Sequence, residues 1–560
     1  MTDIKIIPLG GVRENGKNLF VVEVDESIFV LDCGLVFPED ELLGIDVVIP
    51  DFSYLEENAE RVVGIFLTHG HADAVGALPY LLELVDVPVF GTELTIQLAS
   101  ISAKSQGLED RLENFYKIDE ETEIEFDNVT VSFFKTTHTI PDSVGIVLNT
   151  SKGAIVYTGD FKFDPSSNDL YQTDFGRLTD IGEAGVLALL SDSAEAESPV
   201  ENVSDLKISE DMTEIFRNAE GRIIVACVGS NIIRIQQVLD AAHASGRTIF
   251  IAGEELYDIV DTAIKLDKIR IPSKNVIGDI AKLKTMADDK VIVLETGNTG
   301  EPIKSLQLMA TNRHPQVALK EGDLVLFAST PSIAMETTMA RTKDMIYRVG
   351  ASVQTITDNY KTSGHGTPHD LKLMLNFMKP KYFIPVNGEY RMLAAHAELA
   401  SQVGYQADQI FLPALGDVID YHKGQMTMTN KVVAGNVLVD GIGVGDIGNV
   451  VLRDRRILSE DGIFVVVATI SRRLKTVLVG PQITSRGFVY MKASTDLIEA
   501  CSDMTLEVLE KHLASDAFDW SELKADLREQ IGKYLFKETK RRPVVLPIIM
   551  EASNYKPQEQ

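Results

Sequence analysis

Cysteine is scarce in this chain: Cys33, Cys227 and Cys501 are the only three in 560 residues. Each stands alone in apolar or mixed surroundings, which argues against a disulfide framework and against thiolate zinc sites and favours buried structural thiols. Long apolar runs are missing too. Nowhere do about 18 uncharged apolar residues follow one another, and the opening MTDIKIIPLGG lacks a basic segment followed by an apolar one. The sequence therefore predicts a soluble, cytoplasmic protein with no membrane attachment. Positive charge is also short: 53 Lys and Arg face 83 Asp and Glu, a net charge of −30. A basic domain gathering phosphates over its whole surface is excluded. Any nucleic acid has to be held in a local groove, and most of the acidity reads as a solvated surface. Internal repeats and low-complexity tracts are absent.

What remains is an ordinary globular composition, 45% hydrophobic and 24% charged, long enough for about three or four domains of roughly 100 to 200 residues each. From Lys5 to about Thr150, runs such as NLFVVEV, SIFVLDCG, VVGIFLTHG and VTVSFFKTTH alternate with Gly, Asp and Asn, and read as strands bounded by turns. GALPYLLELV has apolar residues at helical spacing after Asp73. GAIVYTGDF and then LLALLSDSAEAE repeat the pattern of a strand ending in a polar loop. Between about Val203 and Tyr360, DLKISEDMTEIFRNAE, GRIIVACVGS, NIIRIQQVLDAAHASG and RTIFIAG alternate helix with strand, the mark of βαβ units and a parallel sheet. KVIVLETGNTGEP and DLVLFASTP add two strands. DLKLMLNFMKPKYFIPVNGEYRMLAAHAELA then gives helix, strand, loop and helix, and the Gly- and Val-rich TNKVVAGNVLVDGIGVGDIGN reads as a connector. From about Asn449 the chain alternates again through GIFVVVATI and TVLVG before turning helical, which predicts a small terminal α+β domain.

The chemistry concentrates at strand ends. In FLTHGHADAVGAL, His69 and His71 follow a buried strand, and Gly70 between them is expected to let the backbone turn so that both imidazoles converge. Asp73 adds an oxygen donor at the start of a helix, a mixture suited to zinc or manganese. His138 in KTTHTIPDS and Asp160 in VYTGDFKFD each sit just past an apolar strand. Singly, the two histidines read as a surface pair, His138 as a loop histidine and Asp160 as a turn former. In order, each at a strand end, they read as one metal site.

THGHAD, HTIPDS and TGDFKFD resemble the ordered motifs of the metallo-β-lactamase fold, a four-layer αββα sandwich with metals at the strand edges. LLSDSAEAE, SGHG and PVNGEYRM resemble its β-CASP nucleic-acid-processing branch and, within it, the ribonuclease J family. The likeness extends to LGGVRENGKN, PEDELLGIDVVIPDFSYL, TGNTGEP and DRRILSEDGIFVVV, and so covers nearly the whole chain. It implies an α/β fold: a metallo-β-lactamase sandwich from residues 1–202 and 361–430, a β-CASP α/β domain inserted at 203–360, a linker at 431–449 and a small C-terminal α+β assembly domain at 450–560.

The resemblance also assigns residues. A first metal, Mn²⁺ or Zn²⁺, would be held by His69, His71 and His138 with Asp160 bridging. A second would use Asp73, position 74, Asp160 and position 387. Those two variable positions hold Ala74, which has no donor atom, and Asn387, which offers a neutral carbonyl oxygen. One well-formed site is implied, with the second weak or absent. Asp192 and His365 correspond to catalytic residues, although a strand-end Asp capping a helix is the plainer reading of Asp192. Ser230, Ser363, Gly364 and His365 correspond to phosphate or RNA contacts. Lys361 and Ile233 stand where histidines are expected and Glu254 where an arginine is, and an acid near a 5′-phosphate pocket would repel RNA.

The function implied is a weak metal-dependent 5′-to-3′ exoribonuclease, with endonuclease action as a second mode, acting on single-stranded RNA in rRNA processing and mRNA decay. The alternative is a near-silent structural partner, because the chain resembles the less active type 2 branch found in low-GC Gram-positive bacteria beside a fully ligated paralogue. Homo-oligomers, dimer or tetramer, a hetero-oligomer with that active paralogue, and other RNA-decay proteins are the partners expected. A lactamase or thioesterase would share THGH but would leave the long βαβ insertion and SGHG unexplained.

Overall fold

The computed structural model describes residues 3–38, 42–166, 170–199, 203–296, 302–328, 336–356, 363–441, 443–489, 494–515 and 517–552. Two compact units result, Met1–Phe37 with Val47–Val437 and Pro38–Asp46 with Leu438–Gln560.

Three large sheets organise the first unit, and two of them share a core. One has eight strands in the order Gln425–Lys431, Asp417–His422, Ile4–Pro8, Phe20–Val24, Ser27–Leu31, Val62–Phe66, Val89–Gly91 and Phe115–Lys117; the other has six, Tyr382–Val386, Val186–Asp192, Gly153–Tyr157, Val144–Thr150, Val129–Lys135 and Glu123–Phe126. Phe20, Phe29 and Phe66 of the first sheet share one core with Phe133, Ile146 and Tyr157 of the second. Alternate residues of the second sheet point the other way. Phe134, Val156 and Leu189 meet Leu178, Ile181, Leu371, Met374 and Leu375 from the helices Phe175–Ala184 and Pro368–Met378. A sheet covered on both faces needs apolar residues at every position, which is why VLALLSD is an unbroken buried run. The helix Pro368–Met378 starts at a capping box between Thr367 and Asp370, which supplies partners for the free N–H groups of its first turn. Its buried Leu371, Met374, Leu375 and Met378 repeat at helical spacing, and truncating one of them to Ala costs about 2–5 kcal/mol.

The third sheet is all parallel, in the order Ile277–Gly278, Thr248–Ala252, Val291–Glu295, Ile223–Ala226, Leu324–Phe327 and Ser352–Thr355. Helices Asp205–Asn218, Ile232–Ala244 and Glu254–Lys265 pack on one face, and Pro302–Ala310 and Glu336–Arg348 on the other. This is the βαβ pattern read from the alternation of helix and strand. TGNTGEP lies largely, and Lys361 wholly, outside the described residues.

In the second unit, Ile463–Ser471 lies between Thr476–Arg486 and Val544–Glu551. Its alternate residues Phe464, Val466, Ala468 and Ile470 are buried with Leu509 and Leu513 of Thr495–Ala514 and with Leu523, Leu527, Ile531 and Leu535 of Trp520–Thr539. Three elements differ from the sequence reading, one of them the expected connector, where Asn436–Asp440 and Gly443–Val444 pair as antiparallel strands. Residues Asn449–Glu460 are helical, so the alternation begins only at Ile463. The terminal VVLPIIME is a strand despite Pro547, and it sits at the sheet edge, where proline is tolerated. All three cysteines are buried and unpaired. Among the described residues no helix is long and apolar enough to cross a membrane.

Candidate metal centre

Gly153–Tyr157, Val186–Asp192 and Tyr382–Val386 are mutually parallel, and Val129–Lys135 runs the same way through its antiparallel neighbour. Their carboxyl ends therefore open at one edge and deliver Asp160, Asp192, Asn387 and His138. Val62–Phe66 of the other sheet delivers His69, His71 and Asp73.

Hydrogen bonds fix how each histidine presents its ring. Thr68 Oγ1 donates to Asp32 at 2.8 Å, so it accepts from His69 Nδ1 at 2.9 Å. His138 Nδ1 donates to the Gly364 carbonyl at 2.8 Å, and His71 Nε2 to the Ser230 carbonyl at 3.3 Å. A carbonyl only accepts, so these nitrogens carry the protons. The remaining nitrogens, His69 Nε2, His71 Nδ1 and His138 Nε2, face inward. His71 Nδ1 and His138 Nε2 lie 3.1 Å apart, and His69 Nε2 is buried with no hydrogen-bond partner. One nitrogen from each ring falls within a 4.8 Å cluster. Three convergent ring nitrogens at that spacing suit one cation.

Carboxylates surround the imidazoles. Asp73 Oδ1 is 3.7 Å and Asp160 Oδ2 3.8 Å from His69 Nε2. His365 Nδ1 is bonded to Asp192 Oδ2 at 2.8 Å and lies 3.9 Å from Asp160 Oδ2. Two further clusters of metal-ligating atoms are thereby formed, His69–Asp73–Asp160 and Asp160–Asp192–His365. Burial pushes His71 down to about 3, and burial with neighbouring imidazoles holds His138 well below the ordinary histidine range. For His69 burial opposes the charge, but Asp73 and Asp160 outweigh it and raise the group to about 9. Burial is likewise outweighed at His365, where Asp192 and Asp160 raise the imidazolium to about 10. Asp160, buried beside Asp73 and Asp192, is pushed up to about 7. Burial at Asp73 is outweighed by the nearby charge of His69, which holds the carboxyl well below the usual carboxylate range.

The other residues singled out in the sequence fall around this cluster. Ala74 is buried in the short helix Ala72–Val75. Asn387 Nδ2 donates to Asp160 Oδ1 at 2.6 Å. Ser230 comes near through its carbonyl. Ser363 Oγ accepts from the His365 amide at 3.2 Å. Gly364 is required by close approach, since a Cβ there would lie 2.6 Å from His138 Cε1. Ile233 is buried, its amide on the Thr139 carbonyl at 3.2 Å. Glu254 opens an α-helix and is exposed. Gly70 serves differently from expectation. Its φ is not positive; a Cβ would instead meet Leu98 Cδ1 at 2.7 Å.

Sequence reasoning missed the residues that orient the ligands. Asp32 is fully buried and accepts from the Thr68 amide, the Thr68 hydroxyl and Tyr157 Oη. Burial lifts it to about 6, against the pull of His69 and these hydrogen bonds. Asn18 Nδ2 donates to Asp73 Oδ2 at 3.2 Å. An acid closing the apolar run SIFVLD was the available signal for Asp32; Asn18 closes LGGVRENGKN, a stretch that carries the resemblance but to which no role was attached.

Comparison with known proteins adds four family matches along the chain: "Metallo-beta-lactamase superfamily" at residues 12–197, "Ribonuclease J, beta-CASP domain" at 220–346, "Zn-dependent metallo-hydrolase RNA specificity domain" at 350–413 and "Ribonuclease J C-terminal domain" at 450–552. The chain is similar to "Ribonuclease J 2" of Streptococcus pyogenes serotype M3, 49% identical over 551 residues, covering 98% of this chain and 100% of the relative. It is similar to "Ribonuclease J 2" of Staphylococcus aureus strain NCTC 8325, 46% identical over 549 residues and 98% of both chains. A crystal structure of a protein of unknown function from Enterococcus faecalis V583 shares the fold at TM-score 0.54 and 14% identity, over 75% of this chain and 100% of that one. The fold is the metallo-β-lactamase sandwich with an inserted β-CASP domain and a C-terminal α+β region, and the chain belongs to the ribonuclease J family.

Proposed function

We propose that the protein is a metal-dependent ribonuclease with one strong cation site. His69 Nε2, His71 Nδ1 and His138 Nε2 would hold the ion, Mn²⁺ or Zn²⁺, with Asp160 beside them. The observation that carries this reading is the convergence of three imidazole nitrogens whose rings are each held by a hydrogen bond at the outer nitrogen. When bound, a divalent ion supplies Lewis acidity toward a phosphate and brings the pKa of water toward about 7. The residues supply the rest. His365, kept protonated by Asp192, donates to the phosphate or to the leaving oxygen. Asp160 Oδ2 sits where it can take a proton from water. Ser230, Ser363 and Gly364 line the path of the RNA phosphates, and with a net charge of −30 such local contacts have to position the strand.

The rate is low. Ala74 has no donor atom, and Asn387 turns an N–H, not a lone pair, toward Asp160. Losing direct ligands costs at least the roughly 10- to 100-fold lost when a ligand's hydrogen-bond partner is removed. The preferred substrate is single-stranded RNA degraded 5′ to 3′, with endonuclease action secondary. The same two residues favour a second reading, in which the chain chiefly stabilises a fully ligated paralogue in a cytoplasmic RNA-processing and decay complex, with residues 450–560 serving assembly.

The test is degradation of 5′-monophosphorylated single-stranded RNA with added Mn²⁺, comparing wild type with His69→Ala plus His71→Ala. Slow cleavage that disappears in the double variant is expected. Equal trace activity in both proteins would remove the enzyme reading and leave the partner reading.

A further inference from the structure

We infer that Lys268 and Asp205 of the inserted β-CASP domain are positioning residues for the ion site, so that seating this domain on the sandwich and binding the ion are one linked equilibrium. The inference rests on the proposed ion site. Each of the two residues acts through a neighbour of a ligand and not on a ligand atom.

Three loops carry His138, Asp160 and His71, and each is tied to the inserted domain. Four residues past His138, Asp142 Oδ2 meets Lys268 Nζ at 2.7 Å, both side chains largely buried. Between them, Ile140 is buried in one apolar core with Ile232, Ile235 and Leu239 of the inserted domain. Two residues past Asp160, Lys162 Nζ meets Asp205 Oδ2 at 2.7 Å, again with both side chains mostly buried. The Lys162 amide nitrogen donates to the Thr137 carbonyl at 2.8 Å, so the loops of Asp160 and His138 are also joined to each other. The third tie is the Ser230 carbonyl on His71 Nε2, accompanied by the Ile233 amide nitrogen on the Thr139 carbonyl at 3.2 Å.

One helix connects these ties. Ser230 leads into Ile232–Ala244, and Gln237 of that helix donates through Nε2 to the Asp205 carbonyl at 2.9 Å. The same helix thus holds the carbonyl that orients His71 and the residue paired with Lys162. A buried ammonium stripped of its carboxylate is strongly unfavourable, so Lys162 favours the seated domain. Ligand affinity in turn depends on the partners that fix ligand orientation. Coupling of this kind is reciprocal: whatever seating adds to ion affinity, the ion adds to seating.

The test is the Mn²⁺ dissociation constant of the full-length chain, measured by equilibrium dialysis for wild type, Lys268→Met and Asp205→Asn. Asp323→Asn is the comparison, because Asp323 pairs with Arg222 at 2.6 Å within the inserted domain. Lys268→Met and Asp205→Asn should each weaken Mn²⁺ binding by roughly tenfold, the lower end for loss of a ligand's partner. Asp323→Asn should lower the melting temperature and keep the wild-type constant. Hydrogen exchange reads the reciprocal effect in wild type and decides the matter if the variants do not fold. Mn²⁺ should slow exchange in residues 228–244 and 263–269, which supply no ligand, and should do nothing there in His69→Ala plus His71→Ala. Wild-type constants in both folded variants, an equal weakening in Asp323→Asn, or exchange in those segments indifferent to Mn²⁺ would overturn the inference. Wild type that binds no Mn²⁺ would overturn it together with the ion site. Coupling found in a chain that cleaves no RNA would leave it standing and remove only the ribonuclease reading.

Discussion

The nitrogen side and the oxygen side of the centre are built on opposite rules. His69, His71 and His138 have their outer nitrogens taken by Thr68, Ser230 and Gly364, so every remaining nitrogen faces inward. Asp73 and Asp160 have their outer oxygens taken by the N–H groups of Asn18 and Asn387, so half of their ligating capacity is already engaged. Residue type alone would count five ligands here. Ligand count depends on where the lone pairs point, and partners outside the cluster decide that.

The contrast can be broken from either side. The largest effect is expected at the proposed proton donor, His365. Asp192→Asn removes the charge that holds His365 near 10, and RNA cleavage should fall by roughly 10²- to 10⁴-fold, the usual contribution of a positioned acid. Its pH profile should shift as well, because an acid that has lost its carboxylate deprotonates at lower pH and the alkaline limb moves down. Next in size, Ala74→His plus Asn387→His gives the oxygen side two inward donors. Cleavage should rise by about 10- to 100-fold, measured on the same RNA with added Mn²⁺. A smaller, graded effect concerns ion uptake. Without a metal, burial is outweighed at His69 and the ring keeps its proton up to about 9; binding has to displace that proton. Apparent affinity should therefore weaken as pH falls below 9, by about tenfold per unit for one displaced proton. Below about 7, where Asp160 also takes up a proton, the fall should steepen. Metal titrations from neutral to alkaline pH read this slope.

How much of this was legible in the sequence follows from where the information lay. His69, His71, His138, Asp160, Asp192 and His365 each end a recognisable apolar run or sit in a short motif, and strand ends gather at a sheet edge. The structure brings all six together. Asp32 was readable in principle, as a lone acid closing SIFVL, but its importance arises from Thr68 and Tyr157, distant in sequence. Asn18 and the donor role of Asn387 were not readable. Sequence supplies an amide with both N–H and C=O, and only the fold chooses which end meets the carboxylate. In the second unit, Pro547 concealed a strand because an edge position, which tolerates proline, is a property of the whole sheet. The helix Asn449–Glu460 carries five charged residues in VVLRDRRILSE, including its arginines, and lacks the apolar stripe that would announce a buried face.

The most direct measurement is anomalous diffraction from crystals of the protein soaked with Mn²⁺. The account predicts one strong peak within bonding distance of His69 Nε2, His71 Nδ1 and His138 Nε2, with Asn387 still hydrogen-bonded to Asp160. Two peaks of equal strength, or none at the three imidazoles, would contradict it.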